Sequence, residues 1–258
     1  MRLRSYKNRP FHLGPYPLER LKRGEAVDLS TAPPFAPLAM RREDRPASLV
    51  NAIADYQAVL DAIRDGLTKR ERGRLPEDPE ERARHLKSFA YYCDASQAGT
   101  CLTPAEALLP EPVVNPDVAP LAEDLATRQT KTLASGIDVI MADLKDSMAR
   151  PRAGIAHHTH ALVMLFEHPR DPDPAEPGAE WIADMQAERA CLRGAEVGAV
   201  IANYIRLLGW EARAHNATAT DVDLGRLALA AGLAEVVEGE GGTVLSNPYL
   251  GTRFGVTA

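Results

Sequence analysis

Four residues near the middle of the chain, His157-His158-Thr159-His160, have side chains that could bind a metal ion. If they lie on a strand, His158 and His160 project from the same face, a spacing at which two imidazoles can chelate a metal. The sequence shows no third ligand beside them. The alternative is that these histidines are ordinary residues of a strand edge or loop.

Two further side chains are candidates for reactive groups in a segment with helical periodicity. Cys191 is flanked by Arg189 and Arg193, whose guanidinium groups would lower the pKa of the thiol if they lay close to it. The alternative is a buried, unreactive cysteine, and no base for a nucleophilic mechanism is identifiable. Glu196 lies among apolar residues and is the best candidate for a carboxylate with a perturbed pKa, or else for a paired structural ion.

One glycine-rich stretch resembles a phosphate-binding loop in composition alone. The sequence EGEGGT, residues 238–243, lacks the Lys-Ser/Thr pair of such loops, and no helix is predicted after it. We therefore predict that it forms a hairpin or a loop tip.

The composition restricts the classes of function. With 258 residues and 45% hydrophobic content, the chain can bury a sizeable core, while its net charge of −6 argues against nucleic-acid binding. No apolar run reaches the roughly 18 residues of a membrane span, and the first residues have no secretion signal, so we expect a cytoplasmic protein. The three cysteines suit reduced thiols and are fewer than the four thiolates of an iron–sulfur cluster.

The elements that must position these residues indicate an α+β fold. Residues 1–46 contain seven of the 20 prolines and predict an extended arm, followed by a domain over 47–258. A first helix is predicted after Ser48, with a buried stripe at spacings of four and three residues formed by Leu49, Ile53, Tyr56, Leu60, Ile63 and Leu67. A second begins at the cap Asp78 and runs to about Cys93. A third is predicted over 120–149.

The second half of the chain predicts a central strand and a long helix. His160 to His168 is an almost continuous apolar run and predicts a strand covered on both faces. Residues 179–208 predict one helix that is buried nearly all round in its last part, where Gly194 and Gly198 would allow another element to approach closely. Residues 210–215 predict a short strand, and a helix is expected from Thr220 or Asp221 to Gly232.

Several motifs occur in an order that resembles the cobalamin domain of the reductive dehalogenases. GAEVGAVIANYIRLLGWEARAH leads to AAGLAEV and then to LSNPYLGTRFGVTA, while DASQAGTC and HALVMLFE match earlier parts of that pattern. The match covers about residues 80–258 in pieces and does not include the 112–149 segment, which we treat as a helical insertion.

The resemblance implies a nitroreductase-like α+β fold and a complete enzyme that removes halide reductively from an organohalide. It implies a corrinoid in that enzyme and a ferredoxin-like part with two [4Fe–4S] clusters. In the soluble catabolic type it also implies two successive nitroreductase-like repeats, of which the second holds cobalamin.

Two positions indicate which repeat this chain matches. In the cobalamin-holding repeat the motif R-A-Y-x-x-G-A-E carries a Tyr implied to donate the proton to carbon, and G-P-R-x-K carries a Lys that assists it. Here RACLRGAE places Cys191 at the Tyr position and GTRFG places Gly255 at the Lys position. A thiol without a nearby cation is a poor general acid.

We therefore interpret the sequence as the first, non-catalytic repeat of such an enzyme, ending before the second repeat and the ferredoxin-like part. It would bind no cofactor itself and would pack on the cobalamin-binding repeat as half of a pseudo-dimer, or form a homodimer when isolated. One alternative is a stand-alone corrinoid- or flavin-binding protein. Another is an unrelated enzyme that uses Cys191 or Glu196.

Overall fold

The structure, a computed structural model, describes residues 27–45, 47–127, 154–239 and 241–258. Of the predicted arm, residues 27–45 contain one short 3-10 turn, Leu29–Thr31, and otherwise no regular element. Leu29 and Phe35 pack against the core, and the N–H of Leu38 donates to the carbonyl of Ala217. No helix in this described part of the chain is long and apolar enough to cross a membrane.

Six helices and seven strands make up the described fold. The helices are α1 (Leu49–Ala62), α2 (Pro79–Tyr92), α3 (Val118–Thr127), α4 (Ala179–Ile182), α5 (Gln186–Leu207) and α6 (Leu224–Ala230). The strands are β1 (Gln97–Leu102), β2 (Leu108–Val113), β3 (His160–Glu167), β4 (Thr220–Val222), β5 (Glu235–Gly239), β6 (Gly242–Ser246) and β7 (Phe254–Thr257).

Strand β3 is the centre of an antiparallel three-stranded sheet of order β1-β3-β7. Beyond β7, His215 and Ala258 exchange both backbone hydrogen bonds, 2.7 and 2.9 Å long, so an irregular segment continues the sheet. Two antiparallel pairs, β2-β4 and β5-β6, flank it. The sequence correctly predicted β3 and the hairpin at 238–243, whereas residues 210–215 form no strand.

The core lies on both faces of β3, as the apolar run predicts. Val163 and Leu165 face one cluster that includes α6, and Met164 and Phe166 face a second cluster between α2 and α5. All four of these side chains are at most 1% exposed. The sheet is therefore a middle layer between helices.

Helix α1 buries a mixed face, and the apolar stripe predicted from the sequence is not the buried one. Leu49 and Tyr56 are exposed, whereas the buried side chains are Val50, Ala54, Gln57, Ala58, Asp61 and Ala62. Three polar residues, Gln57 and Asp61 on the helix and Arg64 just after it, are at most 2% exposed. They are buried because side chains far along the chain satisfy them with hydrogen bonds.

The predicted helix over 179–208 is two helices. Residues 183–185 interrupt it, and Asp184 adopts a positive φ of 61° that no α-helix contains. The last part is not buried all round, because Val200 and Leu207 lie on an exposed stripe.

Other predicted boundaries differ in detail. Helix α2 begins after the cap Asp78, which accepts from the N–H of Glu80, as predicted. Helix α6 begins after Asp223, not at Thr220 or Asp221, because Thr220–Val222 pairs with β2 before the cap. The third predicted helix, 120–149, is described only as α3, and the rest of the proposed insertion lies outside the described residues.

Candidate functional site

Cys191 and Gly255, the two positions singled out by the resemblance, lie beside each other. Strand β7 packs against α5, and a Cβ atom built on Gly255 would lie 3.5 Å from Ala190 Cβ and 3.8 Å from the backbone nitrogen of Cys191. The strand comes this close because Gly194 and Gly198 have no side chain: a Cβ on Gly194 would lie within van der Waals overlap of Thr257 Oγ1. The prediction that these glycines admit another element is confirmed.

The thiol of Cys191 is buried and protonated. Burial, and then the negative charge of Asp61, raise its pKa to about 12. Its Sγ lies 3.8 Å from Asn216 Oδ1. The interpretation as a buried cysteine is confirmed, and Arg189 and Arg193 do not lower the pKa of the thiol, because Arg189 is exposed and Arg193 Nη2 lies 3.5 Å from the carbonyl of Asp94.

Next to this thiol, the carboxylate of Asp61 is completely buried among neutral donors. Its Oδ1 accepts from Gln57 Nε2 and Asn216 Nδ2, and its Oδ2 accepts from Asn115 Nδ2 and Thr218 Oγ1, at 2.5–2.9 Å. A carboxylate that accepts from four donors is fixed in orientation, so the Asp61 side chain attaches α1 to the loop at 216–218. The i, i+4, i+7 spacing of Gln57, Asp61 and Arg64 was the signal in the sequence that could have identified this face.

A second buried network joins α1 to the segment before β4. Asp221 Oδ2 lies 2.9 Å from Arg64 Nη1 and 3.4 Å from Arg213 Nη1, while Arg213 also pairs with Asp65 at 2.6 Å. Burial disfavours the charged form of Asp221, but these guanidinium groups and His215 outweigh it and lower its pKa.

His215, in the same network, is a buried neutral imidazole. Its Nδ1 accepts from the backbone N–H of Asp221 at 3.2 Å, so this nitrogen carries no proton. Burial, followed by the charge of Arg64, lowers its pKa to about 3.

The histidine motif is arranged differently from the prediction. His157 and His158 lie in the turn before β3, and only His160 lies on the strand, so His158 and His160 do not share a strand face. Instead, Nε2 of His157 lies 2.5 Å from Glu211 Oε2, and one ligand atom each of His157, His158 and Glu211 lie within 4.8 Å of one another. Glu211 is a third ligand that the sequence did not reveal, because it follows in the chain 54 residues later.

The remaining candidates have structural explanations. Glu196 is exposed on α5 and does not lie in the buried surroundings expected from its apolar neighbours in the sequence. The motif NPYLG forms a turn in which Asn247 Oδ1 accepts from the N–H groups of Tyr249 and Leu250, while Nδ2 donates to Gln97 Oε1 and to the carbonyl of Leu233. The motif therefore fixes the connection from β6 to β7 to the core.

Comparison with known proteins identifies relatives among solved structures. No protein-family model matches the sequence, and no curated protein matches it. A reductive dehalogenase solved in connection with B12-dependent dehalogenation is 32% identical, with a TM-score of 0.66, over 100% of this chain and 30% of that chain. The catabolic reductive dehalogenase NpRdhA is 33% identical, with a TM-score of 0.65, over 100% of this chain and 30% of that chain.

A further structure of NpRdhA, in complex with 3-bromo-4-hydroxybenzoic acid, gives 32% identity and a TM-score of 0.65 over 100% of this chain and 29% of that chain. The chain thus spans about 30% of the length of these relatives. The resemblance drawn from the motifs is confirmed: along its whole length this chain is similar, in sequence and in fold, to part of a reductive dehalogenase.

Proposed function

We propose that this chain is a non-catalytic module of a reductive-dehalogenase-type oxidoreductase and corresponds to its first nitroreductase-like repeat. The complete enzyme would use cobalamin and two [4Fe–4S] clusters to remove halide from an organohalide. The module would pack on the cobalamin-binding repeat and support it. The similarity to B12-dependent dehalogenases supports the cofactor, and the chemistry of the Cys191 position supports the non-catalytic role.

The single observation that carries this proposal is the buried thiol at the position of the implied proton donor. A general acid must lie within reach of the reacting carbon and must release its proton near neutral pH. Cys191 is 5% exposed, and its pKa of about 12 opposes proton release. Gly255 supplies no cation beside it. The residues at these two positions therefore do not fit the acid chemistry that the corrinoid would require, and we derive no step at this site.

The number of cysteines also supports iron–sulfur clusters in another part of the proposed enzyme. The whole chain has three cysteines, fewer than the four thiolates that one [4Fe–4S] cluster requires. Cys93 lies after α2, Cys101 lies on β1 and Cys191 lies on α5. Burial raises the pKa of the Cys93 thiol, which further disfavours a thiolate ligand.

An exposed apolar surface supports packing on a second module. At the end of α5, Val200, Leu207 and Trp210 are 39–60% exposed, and Leu67 is 70% exposed. The segment that carries Leu67 runs alongside this helix end, because the N–H of Lys69 donates to the carbonyl of Arg206. These four residues form what we call the α5 patch. Apolar side chains gathered on one surface are typical of an interface with another protein.

The proposal is tested by incubating the purified chain with hydroxocobalamin and, separately, with FMN, followed by gel filtration and visible spectroscopy. We expect both cofactors to elute apart from the protein. A variant with Cys93→Ser and Cys101→Ser is the control, because a partly exposed thiol can ligate cobalt without any built site.

Stoichiometric co-elution of the corrinoid with both the wild type and this control variant would contradict the non-catalytic role. Co-elution of FMN would instead support the alternative of a stand-alone flavin-binding protein. Co-elution of the corrinoid with the wild type alone would show simple ligation by Cys93 or Cys101 and would not contradict the non-catalytic role.

A further inference from the structure

We propose that His157, His158 and Glu211 bind one divalent metal ion, with Zn²⁺ as the preferred ion, and that this ion connects the turn before β3 to the segment after α5. The site is separate from the Cys191 position and does not depend on the proposed role in dehalogenation.

The arrangement of the three side chains carries the proposal. Nε2 of His157 lies 2.5 Å from Glu211 Oε2, and the rings of His157 and His158 meet edge to face with centroids 4.5 Å apart. One ligand atom from each residue lies within 4.8 Å of the other two. Ligands at about 2.0–2.1 Å from a tetrahedral ion are separated by roughly 3.4 Å. The His157–Glu211 pair at 2.5 Å would therefore move apart by about 0.9 Å, and ligand atoms up to 4.8 Å apart would approach by at most about 1.4 Å.

The side chains are free to make these movements of their ligand atoms. His157 and Glu211 are 54% and 64% exposed, so their rotamers can change without disturbing the core. His158 is half-buried and lies next to the protein body, where it provides a fixed ligand. The site therefore combines one anchored imidazole with two adjustable ligands.

The type of ligand favours zinc. Two imidazoles and one carboxylate form a set that zinc binds with water in the fourth position. A neutral imidazole offers the lone pair of one ring nitrogen to a metal ion. The nearby cation, Arg213, pairs with Asp65 at 2.6 Å and with Asp221 at 3.4 Å. Because these carboxylates compensate its charge, Arg213 does not prevent a divalent ion from binding.

A bound ion would stabilise a specific join in the fold. Residues 154–159 lead into the central strand β3, and residues 210–215 lead to His215, which pairs with Ala258 beside β7. The segment before the central strand and the segment beside β7 would thus be cross-linked by bonds much stronger than one exposed hydrogen bond. Ligands that bind only the folded state raise its stability.

The test is titration of the metal-free chain, carrying a purification tag without histidine, with zinc chloride in a calorimeter. Co²⁺ is the spectroscopic probe, because tetrahedral coordination gives it visible absorption. We expect one Zn²⁺ per chain with a dissociation constant in the micromolar range or below. Glu211→Gln and His157→Gln should each weaken binding at least tenfold, and zinc should raise the Tm of the wild type more than that of either variant.

His160→Gln is the matched control, because it removes a histidine of the same motif that lies outside the three-ligand group. It should bind zinc as the wild type does. The proposal fails if the wild type binds no zinc at millimolar concentration, or if Glu211→Gln binds as tightly as the wild type. It also fails if His160→Gln is the variant that loses binding, since His160 would then be a ligand that the proposed group of three does not contain.

Discussion

Protonation of His215 is opposed by its surroundings. Nδ1 already accepts from the N–H of Asp221, and Arg64 Nη1 lies 3.4 Å from the same nitrogen. A proton on Nδ1 would remove that hydrogen bond and face a guanidinium group. Asp221 attracts the charged imidazole, but burial and the arginines outweigh this attraction and hold the pKa of His215 at about 3.

The free energy of unfolding should therefore fall as the pH drops below about 6.5, the ordinary histidine pKa. Between that value and about 3, the unfolded chain binds a proton that the folded chain excludes, so each pH unit costs about 1.4 kcal/mol. Urea unfolding at several pH values between 7.5 and 4.5 measures this slope.

His215→Asn isolates the contribution of this residue. The amide oxygen can accept from Asp221 as Nδ1 does, but it does not titrate. His158 and His168 also have pKa values lowered by burial, and they remain in the variant, so the difference in slope belongs to His215. Equal slopes for variant and wild type would contradict this, because they would mean that His215 binds its proton as readily in the folded protein as in the unfolded chain.

Single residues also show how much of the candidate site can be predicted from the sequence. The motif order singled out Cys191 and Gly255 through neighbours that are local in sequence, RGAE and GTR, and the structure brings the two residues together. Glu196 was the candidate for a buried carboxylate because its neighbours in the sequence are apolar, but its side chain lies on the exposed side of α5. The burial of Asp61 was not predicted, because two of the side chains that donate hydrogen bonds to it, Asn216 and Thr218, lie 155 and 157 residues away in the chain.

At the scale of elements, α5 and β7 approach each other very closely where glycines of α5 face the strand. A Cβ on Gly194 would overlap Thr257 Oγ1 and lie 3.2 Å from Thr257 Cβ, while a Cβ on Gly198 would lie 3.0 Å from Thr257 Cγ2. Thr257 is held in turn by the pairing of β7 with β3. The helix and the strand therefore have little room to separate.

Gly194→Ala should destabilise the fold by about 1–3 kcal/mol, because overpacking outweighs the gain in helix propensity of roughly 1 kcal/mol. Gly255→Ala is the matched control on the facing strand: its nearest contact would be an ordinary 3.5 Å, and we expect a loss below about 1 kcal/mol. Chemical denaturation measures both.

A double variant tests the cause of this loss. Thr257→Ala removes the overlapping hydroxyl, so Gly194→Ala should cost less in its presence than in its absence. Additive effects of the two substitutions would mean that the contact is not the source of the strain.

The sequence predicted an element correctly where a short local pattern of residues determines it. The apolar run of β3 and the Gly-rich turn between β5 and β6 suffice for their assignment. The α1 prediction found the helix but not its buried face, because that face includes Gln57 and Asp61, whose partners Asn216 and Thr218 lie far along the chain. The break at 183–185 was not predicted, since Asp184 is neither Gly nor Pro and only its φ of 61° marks the turn.

At the scale of the whole molecule, the α5 patch is the surface that the isolated module leaves uncovered under our proposal. Trp210 is partly shielded by Arg72, whose Cζ lies 4.2 Å from the ring centroid, whereas Leu67 and Leu207 extend into solvent. A module that normally packs on a partner would show such side chains when separated from it.

The isolated chain should therefore associate with itself through this patch. Sedimentation equilibrium should show a concentration-dependent dimer, and Leu67→Lys with Leu207→Lys should shift the chain to monomer while changing the free energy of unfolding by less than about 0.5 kcal/mol.

Leu102→Lys, at an equally exposed leucine outside the patch, is the control and should leave the dimer intact. A wild type that stays monomeric at every concentration, or a patch variant that dimerises equally well, would contradict this use of the surface.

The position of β7 in the sheet also has a consequence during synthesis on the ribosome. Its partner β3 ends at Glu167 and β7 begins at Phe254, so about 86 residues must be translated before the second edge of β3 is paired. At translation rates of about 5–20 residues per second, that edge stays open for roughly 4–17 s. During this interval β1 and β3 can form an antiparallel pair whose apolar faces lack α5 and α6, and the nascent chain is then most in need of a chaperone.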